Sequence, residues 1–220
     1  MKIYGISDNH GKLDFTIPKC DLLLHAGDIS LWYKHWSVAR QLKWFSTELA
    51  EWLEAVPAER IILIPGNHDF ICEKNLAEAN KKMPAKAKII HDERVEYNGL
   101  VIWGTAWQPT ACNWAFNCSD TDSKLYDYFR KIPNDTDILL THCPPKGYCD
   151  EVSGPMGPIS LGSASLMTRM WELQPNPMIN VCGHIHNGRG FSRLGQTEVY
   201  NVSLVDEDRN LVYEPMEIEL

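Results

Sequence analysis

Residues 62–69 read ILIPGNHD, an apolar run that stops at a glycine and then places an amide, an imidazole and a carboxylate side by side. The run is typical of a buried strand, and Gly66 suits the turn that ends it. A turn alone does not require Asn67, His68 and Asp69 in succession. The stretch therefore predicts a strand whose end carries a chemical site.

The same arrangement recurs at four other apolar runs, each of which ends in Asp or His, usually beside a glycine. Ligands of α/β proteins bind outside the carboxyl ends of the strands, so we expect these polar groups to converge on one crevice. The runs are IYGISDNHG (3–11), ending in Asp8 and His10; LLLHAGD (22–28), ending in Asp28; DILLTHCPP (137–145), ending in His142; and MINVCGHIH (178–186), ending in His184 and His186.

Strand-length apolar runs alternate with helical patterns along the chain. The runs are near-continuous, which indicates strands buried on both faces, and their alternation with helices implies an α/β sandwich. A helix is predicted over residues 36–56, where apolar residues recur every three or four positions. The predicted strands cover residues 2–7, 21–25, 60–65, 86–91, 137–141 and 177–182. Three further helices are predicted over residues 73–82, 123–131 and 163–173.

Two stretches break this alternation. Residues 95–105 contain Asn98-Gly99 between β-rich arms, which predicts a tight hairpin, and residues 197–220 have the pattern of a terminal β-meander. The sheet is therefore expected to be mixed, and no linker or repeat divides residues 1–220 into more than one domain. Two long loops, 104–118 and 144–162, are candidates for functional roles.

Composition narrows the classes of function. The chain is 44% hydrophobic and 23% charged, which is ordinary for a soluble globular protein, and its formal net charge is −8. An acidic surface repels phosphate backbones, so binding to duplex nucleic acid is not expected. A small phosphoester substrate is compatible with this charge if metal ions supply local positive charge.

The seven cysteines form no CxxC pair, which favours reduced thiols inside a cell. The first residues lack a signal-peptide pattern, and no apolar run has the length of a membrane span. The sequence thus predicts a cytoplasmic protein without membrane association.

The polar groups at the strand ends are ligands of a hard to borderline N/O type. Two aspartates, one asparagine and four histidines suit Mn, Fe, Zn, Co or Ni rather than a thiolate site. Seven ligands exceed what one ion with an open position needs, but they suit two ions that share a bridging carboxylate. We therefore predict two divalent or trivalent ions, with Mn favoured.

The motifs D-x-H, GD, GNHD, H and GHxH occur in this order between residues 5 and 187, and the chain resembles the calcineurin-like metallophosphoesterases in this signature. The loop GTAWQPTACNWAF (104–116) resembles the metallophosphoesterase-domain-containing branch, which is similar to a brain-expressed vertebrate group and acts on phosphodiesters, including cyclic nucleotides. The expected fold is a four-layer αββα sandwich with mixed central sheets and the active site at the carboxyl ends of the strands.

The resemblance also implies roles for individual residues. His68 would be a general acid rather than a ligand, and Asp69 would orient it. The flat groups of a substrate could stack on aromatic loop residues, although the same residues could simply pack the loops. One metal would be held by Asp8, His10 and His186, the other by Asn67, His142 and His184, with Asp28 bridging; the aromatic candidates are Trp107, Trp114, Phe116 and Tyr148.

The predicted function is phosphodiester hydrolysis by attack of a hydroxide shared between the two metals. Three alternatives remain: a phosphomonoesterase or protein phosphatase on the same site, a nuclease despite the lack of a basic groove, and a non-catalytic scaffold. The sequence does not support a P-loop nucleoside triphosphatase or a serine hydrolase, because the GxxxxGK and GxSxG motifs are missing. Residues 206–217 imitate a calcium loop, but Leu211 replaces the required glycine, and we predict a β-turn there.

Overall fold

Two mixed β-sheets pack face to face in the computed structural model of the chain, which describes residues 1–31, 37–121, 123–175 and 177–220. Strands and helices are numbered in chain order. The first sheet has five strands in the order β15–β1–β2–β3–β4, all parallel except β15, which runs antiparallel to β1. These strands are β1 (Ile3–Ile6), β2 (Cys20–His25), β3 (Ala58–Leu63), β4 (Ala87–Ile89) and β15 (Met216–Ile218).

The second sheet has six strands in the order β13–β14–β12–β9–β6–β5, with antiparallel pairs at both edges. Its strands are β5 (Glu93–Tyr97), β6 (Leu100–Thr105), β9 (Ile138–Thr141), β12 (Ile179–Cys182), β13 (Gly190–Leu194) and β14 (Thr197–Asn201). Two short ribbons complete the strands: β7 (Gln108–Pro109) with β8 (Asn117–Cys118), and β10 (Glu151–Gly154) with β11 (Gly157–Ser160).

Helices cover the outer face of each sheet, as the apolar clusters show. The first sheet packs against α1 (Val38–Trp44), a π-helical turn (Phe45–Leu49), α2 (Ala50–Ala55) and α3 (Phe70–Asn80); the second packs against α4 (Ser123–Phe129) and α5 (Ala164–Glu172). Among the described residues, no helix has the length and apolar character needed to cross a membrane.

Strand β2 shows why the apolar runs are continuous. Leu23 packs towards the helices, whereas Leu22 and Leu24 pack into the layer between the sheets, and all three are fully buried. Successive side chains of a strand point to opposite faces, so a strand with an apolar layer on each side needs apolar residues throughout. The predicted αββα order of layers is confirmed.

Several local predictions can be compared with the structure. The hairpin is confirmed: Tyr97 pairs with Leu100, and Asn98 and Gly99 have φ values of 48° and 82°, as this tight turn requires. The helix predicted over 36–56 is instead interrupted by the π-helical turn, and its predicted first residue lies outside the described residues. The loops 104–118 and 144–162 contain the two short ribbons.

The predicted terminal meander is wrong. Strand β14 belongs to the second sheet, whereas β15 crosses to the first sheet and pairs with β1, with Ile218 opposite Ile3. A turn lies between them at Asp206, whose carbonyl accepts from the amide of Arg209, which agrees with the predicted β-turn. The same alternation of residues suits either sheet, so the sequence pattern did not identify the partner strand.

Candidate metal centre

The carboxyl ends of five strands bring the predicted site residues together. Strands β1, β2 and β3 of the first sheet and strands β9 and β12 of the second precede them, so each sheet supplies part of the site. The residues contributed by the first sheet are Asp8, His10, Asp28, Asn67, His68 and Asp69, and those contributed by the second are His142, His184 and His186.

The carboxylate of Asp28 lies among three imidazoles. Its oxygens are 3.5 Å from Nε2 of His142, 3.7 Å from Nε2 of His68 and 3.9 Å from Nε2 of His10. Within the part of the chain that the structure describes, three groups of side chains have donor atoms within 4.8 Å of one another, and two of these groups share Asp28. The groups are Asp8, His10 and His186; His10, Asp28 and His68; and Asp8, Asp28 and His142.

Asn67 and His184 adjoin these groups through His142. The Oδ1 atom of Asn67 is 3.0 Å from Nε2 of His142, and the rings of His142 and His184 have centroids 4.9 Å apart. The backbone amide of His184 donates to both carboxylate oxygens of Asp8, at 3.0 and 3.2 Å. The seven predicted ligands therefore form one connected cluster.

Two of the histidines are oriented by backbone carbonyls. Nδ1 of His142 lies 2.8 Å from the carbonyl oxygen of Ala26, and Nδ1 of His186 lies 2.9 Å from that of Asp206. A carbonyl only accepts, so Nδ1 carries the proton in both rings and Nε2 is directed into the cluster. Metal-binding histidines are held in this way by a partner on the other ring nitrogen. The donor set and its orientation thus fit divalent cations.

The cluster favours ionised carboxylates but divides its imidazoles, because Asp28 and Asp8 raise the pKa of His142 and His186 against the effect of burial. Burial opposes ionisation of Asp8 and Asp28, but the neighbouring histidines outweigh it and lower the pKa of both carboxyls. Burial lowers the pKa of His10 to about 4 and that of His184 to about 3. Burial acts in the same direction on His142, but the charge and hydrogen bond of Asp28 raise its pKa to about 9. Metal binding replaces such protons, because cations require deprotonated ligands.

The backbone at the strand ends adopts a conformation that non-glycine residues rarely use. Asp8, His10, Asp28 and His184 have positive φ values of 57°, 46°, 54° and 66°. Such residues cost free energy and cluster at functional sites. Close approach adds a further restriction at Gly183, where an added Cβ would lie 2.3 Å from the carboxylate of Asp8. The positions of these side chains are therefore set by the main chain.

Comparison with known proteins agrees with this geometry. The profile of the family described as calcineurin-like phosphoesterase matches residues 1–188. The chain belongs to this family. Its members are metal-dependent and hydrolyse phosphoester bonds, so the chain is a metallophosphoesterase, and the clusters around Asp28 are its candidate metal-binding groups.

Individual relatives span nearly all of this metallophosphoesterase. Human "Metallophosphoesterase domain-containing protein 1" is 29% identical over 238 aligned positions, which cover 98% of this chain and 69% of that protein. An uncharacterized protein of Methanocaldococcus jannaschii is 27% identical, covering 96% of this chain and 94% of its own length. A solved crystal structure with 19% identity superposes with a TM-score of 0.64 over 91% of this chain and 89% of the other, which shows a shared fold.

Asp69 has partners other than the predicted one in this metallophosphoesterase. Its carboxylate accepts from the backbone amides of Gly66 at 2.7 Å, Ser30 at 2.8 Å and Ile29 at 3.1 Å. Both oxygens thus accept from the main chain, and Asp69 fastens the loop after β2 to the loop after β3. This structural role was not expected from the sequence, and the orientation of His68 by Asp69 stays a prediction.

His68 is held through its backbone. Its amide donates to Oδ1 of Asp28 at 2.8 Å, and its carbonyl accepts from Nε2 of Gln41 at 2.6 Å. Gln41 also accepts from the amide of Ile71 at 2.9 Å and is only 2% exposed. Sequence reasoning missed Gln41; the available signal was an amide on the apolar face of the predicted first helix.

Asn201 is a second residue that sequence reasoning missed. Its side-chain amide nitrogen lies 2.8 Å from the carbonyl oxygen of Ile185, 3.1 Å from that of Cys149 and 3.4 Å from that of Gly183. It is fully buried at the end of β14. The segment that carries His184 and His186 is therefore held by an amide from the neighbouring strand.

His25 and Asn9 brace the loop after β1. Nδ1 of His25 accepts from the amide of Gly27, so its Nε2 donates to Oδ1 of Asn9 at 2.9 Å. The amide nitrogen of Asn9 then donates to the carbonyl of Lys12 at 2.8 Å. Burial lowers the pKa of His25 to about 4, which keeps the ring neutral for this arrangement. Asn9, the middle residue of the D-x-H motif, therefore has a structural role.

The four aromatic residues that were candidates for stacking on a substrate differ in burial. Phe116 is 2% exposed within the apolar cluster, so it is a core residue and not a stacking surface. Trp107 stacks on Tyr128 with ring centroids 3.8 Å apart, and its Nε1 donates to Asp92. These contacts favour the packing interpretation for both residues.

The other two aromatic candidates are half-buried. Tyr148 packs against the apolar cluster between the second sheet and its helices. The ring centroid of Trp114 lies 5.0 Å from that of His68. Trp114 is thus the aromatic candidate that the structure places in contact with the predicted general acid.

Proposed function

We propose that the chain is a dinuclear metal-dependent phosphodiesterase that acts on small substrates, including cyclic nucleotides. The observation that carries the proposal is the position of Asp28, whose carboxylate lies within 3.9 Å of Nε2 atoms contributed by both sheets. A carboxylate whose two oxygens each lie near a potential metal-binding nitrogen is suited to bridging two ions. Two cations sharing a carboxylate are the arrangement that many phosphoester hydrolases use.

The proposed ligand sets follow the clusters. Asp8, His10 and His186 form one group whose donor atoms lie within 4.8 Å of one another. His10 lies near Oδ2 of Asp28, whereas His142, with Asn67 at 3.0 Å, lies near Oδ1. We assign Asp8, His10 and His186 to one ion, Asn67, His142 and His184 to the other, and Asp28 to both, with Mn favoured.

Bound cations would supply an activated water at neutral pH and neutralise charge that develops on the phosphoryl oxygens. The protein residues orient this chemistry. His68 is 4% exposed, and its Nε2 faces the shared carboxylate at 3.7 Å, so the ring borders the region where the reacting phosphorus would lie. We assign to His68 the donation of a proton to the departing oxygen.

Two further observations support the substrate class and the compartment. The loop at 104–116 resembles a branch that acts on phosphodiesters, and a diester carries less negative charge than a monoester, which suits a chain with net charge −8. All seven cysteines are free thiols, which supports a cytoplasmic location. A phosphomonoesterase on the same site is the alternative outcome of the experiment below.

The test compares a bis-aryl phosphodiester with the matching aryl monoester, in the presence of Mn²⁺, for wild type and His68→Ala. We expect the wild type to prefer the diester. Because an aryl oxide leaves without needing a proton, His68→Ala should lose little on this substrate. It should lose roughly 10²–10⁴-fold on a 3′,5′-cyclic nucleotide, whose alkoxide must be protonated.

Metal content, measured by plasma mass spectrometry, accompanies each assay. His68→Ala should retain the wild-type metal content, because its backbone bonds to Asp28 and Gln41 survive the substitution. A metal-free variant would show that His68 is a ligand. A preference for the monoester would replace the proposed diesterase by a phosphomonoesterase, and inactivity of protein that holds two metals would favour a scaffold.

A further inference from the structure

A cavity of about 450 Å³ opens between the first turns of α3 and the segment that joins β7 to β8. Its volume falls in the range of small-molecule sites, about 300–1,000 Å³. Its wall combines Phe70, Glu73 and Lys74 of the helix with Asn113 and Trp114 of the segment. The cavity lies outside the ligand cluster, and of these wall residues only Trp114 is a candidate substrate contact from the sequence.

Trp114 connects this cavity to the reacting region. It forms part of the cavity wall, and its ring centroid lies 5.0 Å from that of His68. The segment is fastened directly after Trp114: the amide of Ala115 donates to the carbonyl of Asn67 at 3.1 Å, and the amide of Phe116 donates to Glu73 at 2.9 Å. The cavity is therefore held at a fixed distance from the predicted ligands.

The wall offers the groups that recognise a flat heterocycle. The indole of Trp114 provides a π-face, and the side-chain amide of Asn113 can both donate and accept at a ring edge. The ammonium of Lys74, 3.2 Å from the carboxylate of Glu73, adds a cation to a polar wall. An alkyl group would leave these polar groups without partners, which is unfavourable.

We propose that this cavity binds the nucleobase of a nucleoside phosphodiester, with the base stacked on Trp114 while the phosphodiester lies at the Asp28 cluster. The inference rests on the proposed phosphodiesterase function and specifies its substrate as a nucleotide. Stacking on an aromatic side chain contributes binding free energy for any base, because every base has a π-face. The site should therefore accept both purines and pyrimidines.

The test uses two substrates that differ only in the base: a nucleoside 3′,5′-cyclic phosphate and its base-free 1-O-methylribose analogue. Trp114→Ala should lower the ratio of kcat/KM for the nucleotide to kcat/KM for the base-free analogue by roughly 5–150-fold, whatever the substitution does to His68. Trp114→Phe should retain most of the activity because a π-face remains. Trp171→Ala, which removes a half-exposed tryptophan of α5, is the matched control.

A second variant distinguishes base binding in the cavity from packing of Trp114 against His68. Asn113→Trp places a large side chain in the cavity from an exposed position. It should lower kcat/KM for the nucleotide more than kcat/KM for the base-free analogue. Equal losses on both substrates in Trp114→Ala, with no effect of Asn113→Trp, would overturn the proposal and leave Trp114 as a packing partner of His68. Equal kcat/KM of the wild type for both substrates would overturn it as well.

Calorimetry distinguishes failure of this inference from failure of the proposed function. Binding of a nucleoside 5′-monophosphate and of ribose 5-phosphate to the metal-loaded protein requires no turnover. Tighter binding of the nucleotide that disappears in Asn113→Trp supports the base site even in a protein that hydrolyses neither diester. Equal binding of both ligands overturns the base site even if the wild type is a phosphodiesterase.

Discussion

The backbone amide of Ser30 donates to the carboxylate of Asp69 at 2.8 Å, which joins the end of strand β2 to the end of strand β3. Gly66 and Ile29 donate to the same carboxylate. Asp69 of the GNHD motif, which is predicted to assist catalysis, thus has a structural role as a connector between two loops. It sets the distance between Asp28 and Asn67, which are the predicted bridging ligand and a ligand of the second ion.

Asp69→Asn should destabilise the protein and weaken metal binding together. The amide has a single acceptor oxygen, so at least one buried backbone N–H loses its partner, at a cost of about 1–3 kcal/mol. Each kcal/mol lowers the Tm of a domain of this size by about 2–4 °C. Thermal unfolding and metal content measure the effect, with Asp135→Asn at an exposed position as control. An unchanged Tm with an altered pH–rate profile would show that Asp69 acts through the predicted pairing with His68 and is not needed as a connector.

Asp28→Asn should lose both ions. Asn retains an acceptor for the amide of His68, so the loop geometry is preserved, but a neutral amide bridges two cations poorly. Plasma mass spectrometry is expected to find the variant metal-poor, and circular dichroism should show a folded protein. Two equivalents of metal retained through gel filtration would exclude the bridging role.

Asn201→Ala should lower metal affinity by roughly 10–100-fold, the usual effect of removing a residue that orients ligands. The substitution frees the carbonyls of Ile185 and Gly183, which flank His184. Asn180→Ala is a matched control, because it removes another fully buried amide, one that donates to the carbonyl of Leu139 at 3.0 Å. Metal titrations should separate the two variants; equal affinities would show that Asn201 contributes only to stability.

Stability should fall as the pH decreases below about 6.5, partly through His91. Burial lowers the pKa of the His91 imidazole in the folded protein, so between the lowered and the ordinary pKa the unfolded chain binds more protons and is favoured by acid. His91→Asn removes the titration and keeps an acceptor for the amide of Ala106.

Urea unfolding at pH 7 and pH 5 measures this prediction. The loss of unfolding free energy between the two pH values should be smaller in His91→Asn than in the wild type. An identical loss in both proteins would show that His91 does not titrate differently in the two states.

The sequence predicted the ligand-bearing strand ends because each motif is local. A hydrophobic run, a glycine and the polar residues after it lie within about ten positions, so strand and site are visible together. Which groups support them was not predictable, because the partners are distant: Asn201 contacts the carbonyl of Cys149, 52 residues earlier, and Gln41 contacts that of His68, 27 residues later. The partner strand of β15 was missed for the same reason.

The roles of side chains in the loops were the hardest to predict from the sequence. Phe116 and Trp114 are two positions apart in one loop, yet one is buried in the core and the other borders His68. From the sequence, both are aromatic residues of a loop, and their burial cannot be told apart. Their difference follows from backbone bonds to Glu73 and Asn67, which only the folded chain defines.

The contribution of both sheets to the Asp28 cluster has a mechanical consequence. Ions bound there would link two sheets that are also joined by the apolar layer containing Ile62 and Leu140 and by hydrogen bonds such as that between His142 and Ala26. The ions would oppose any sliding of one sheet against the other. Conversely, loosening the apolar layer would weaken metal binding at a distance from the ligands. Chelation should therefore lower the force at which the two sheets shear apart, and enlarging the apolar layer should slow the release of metal.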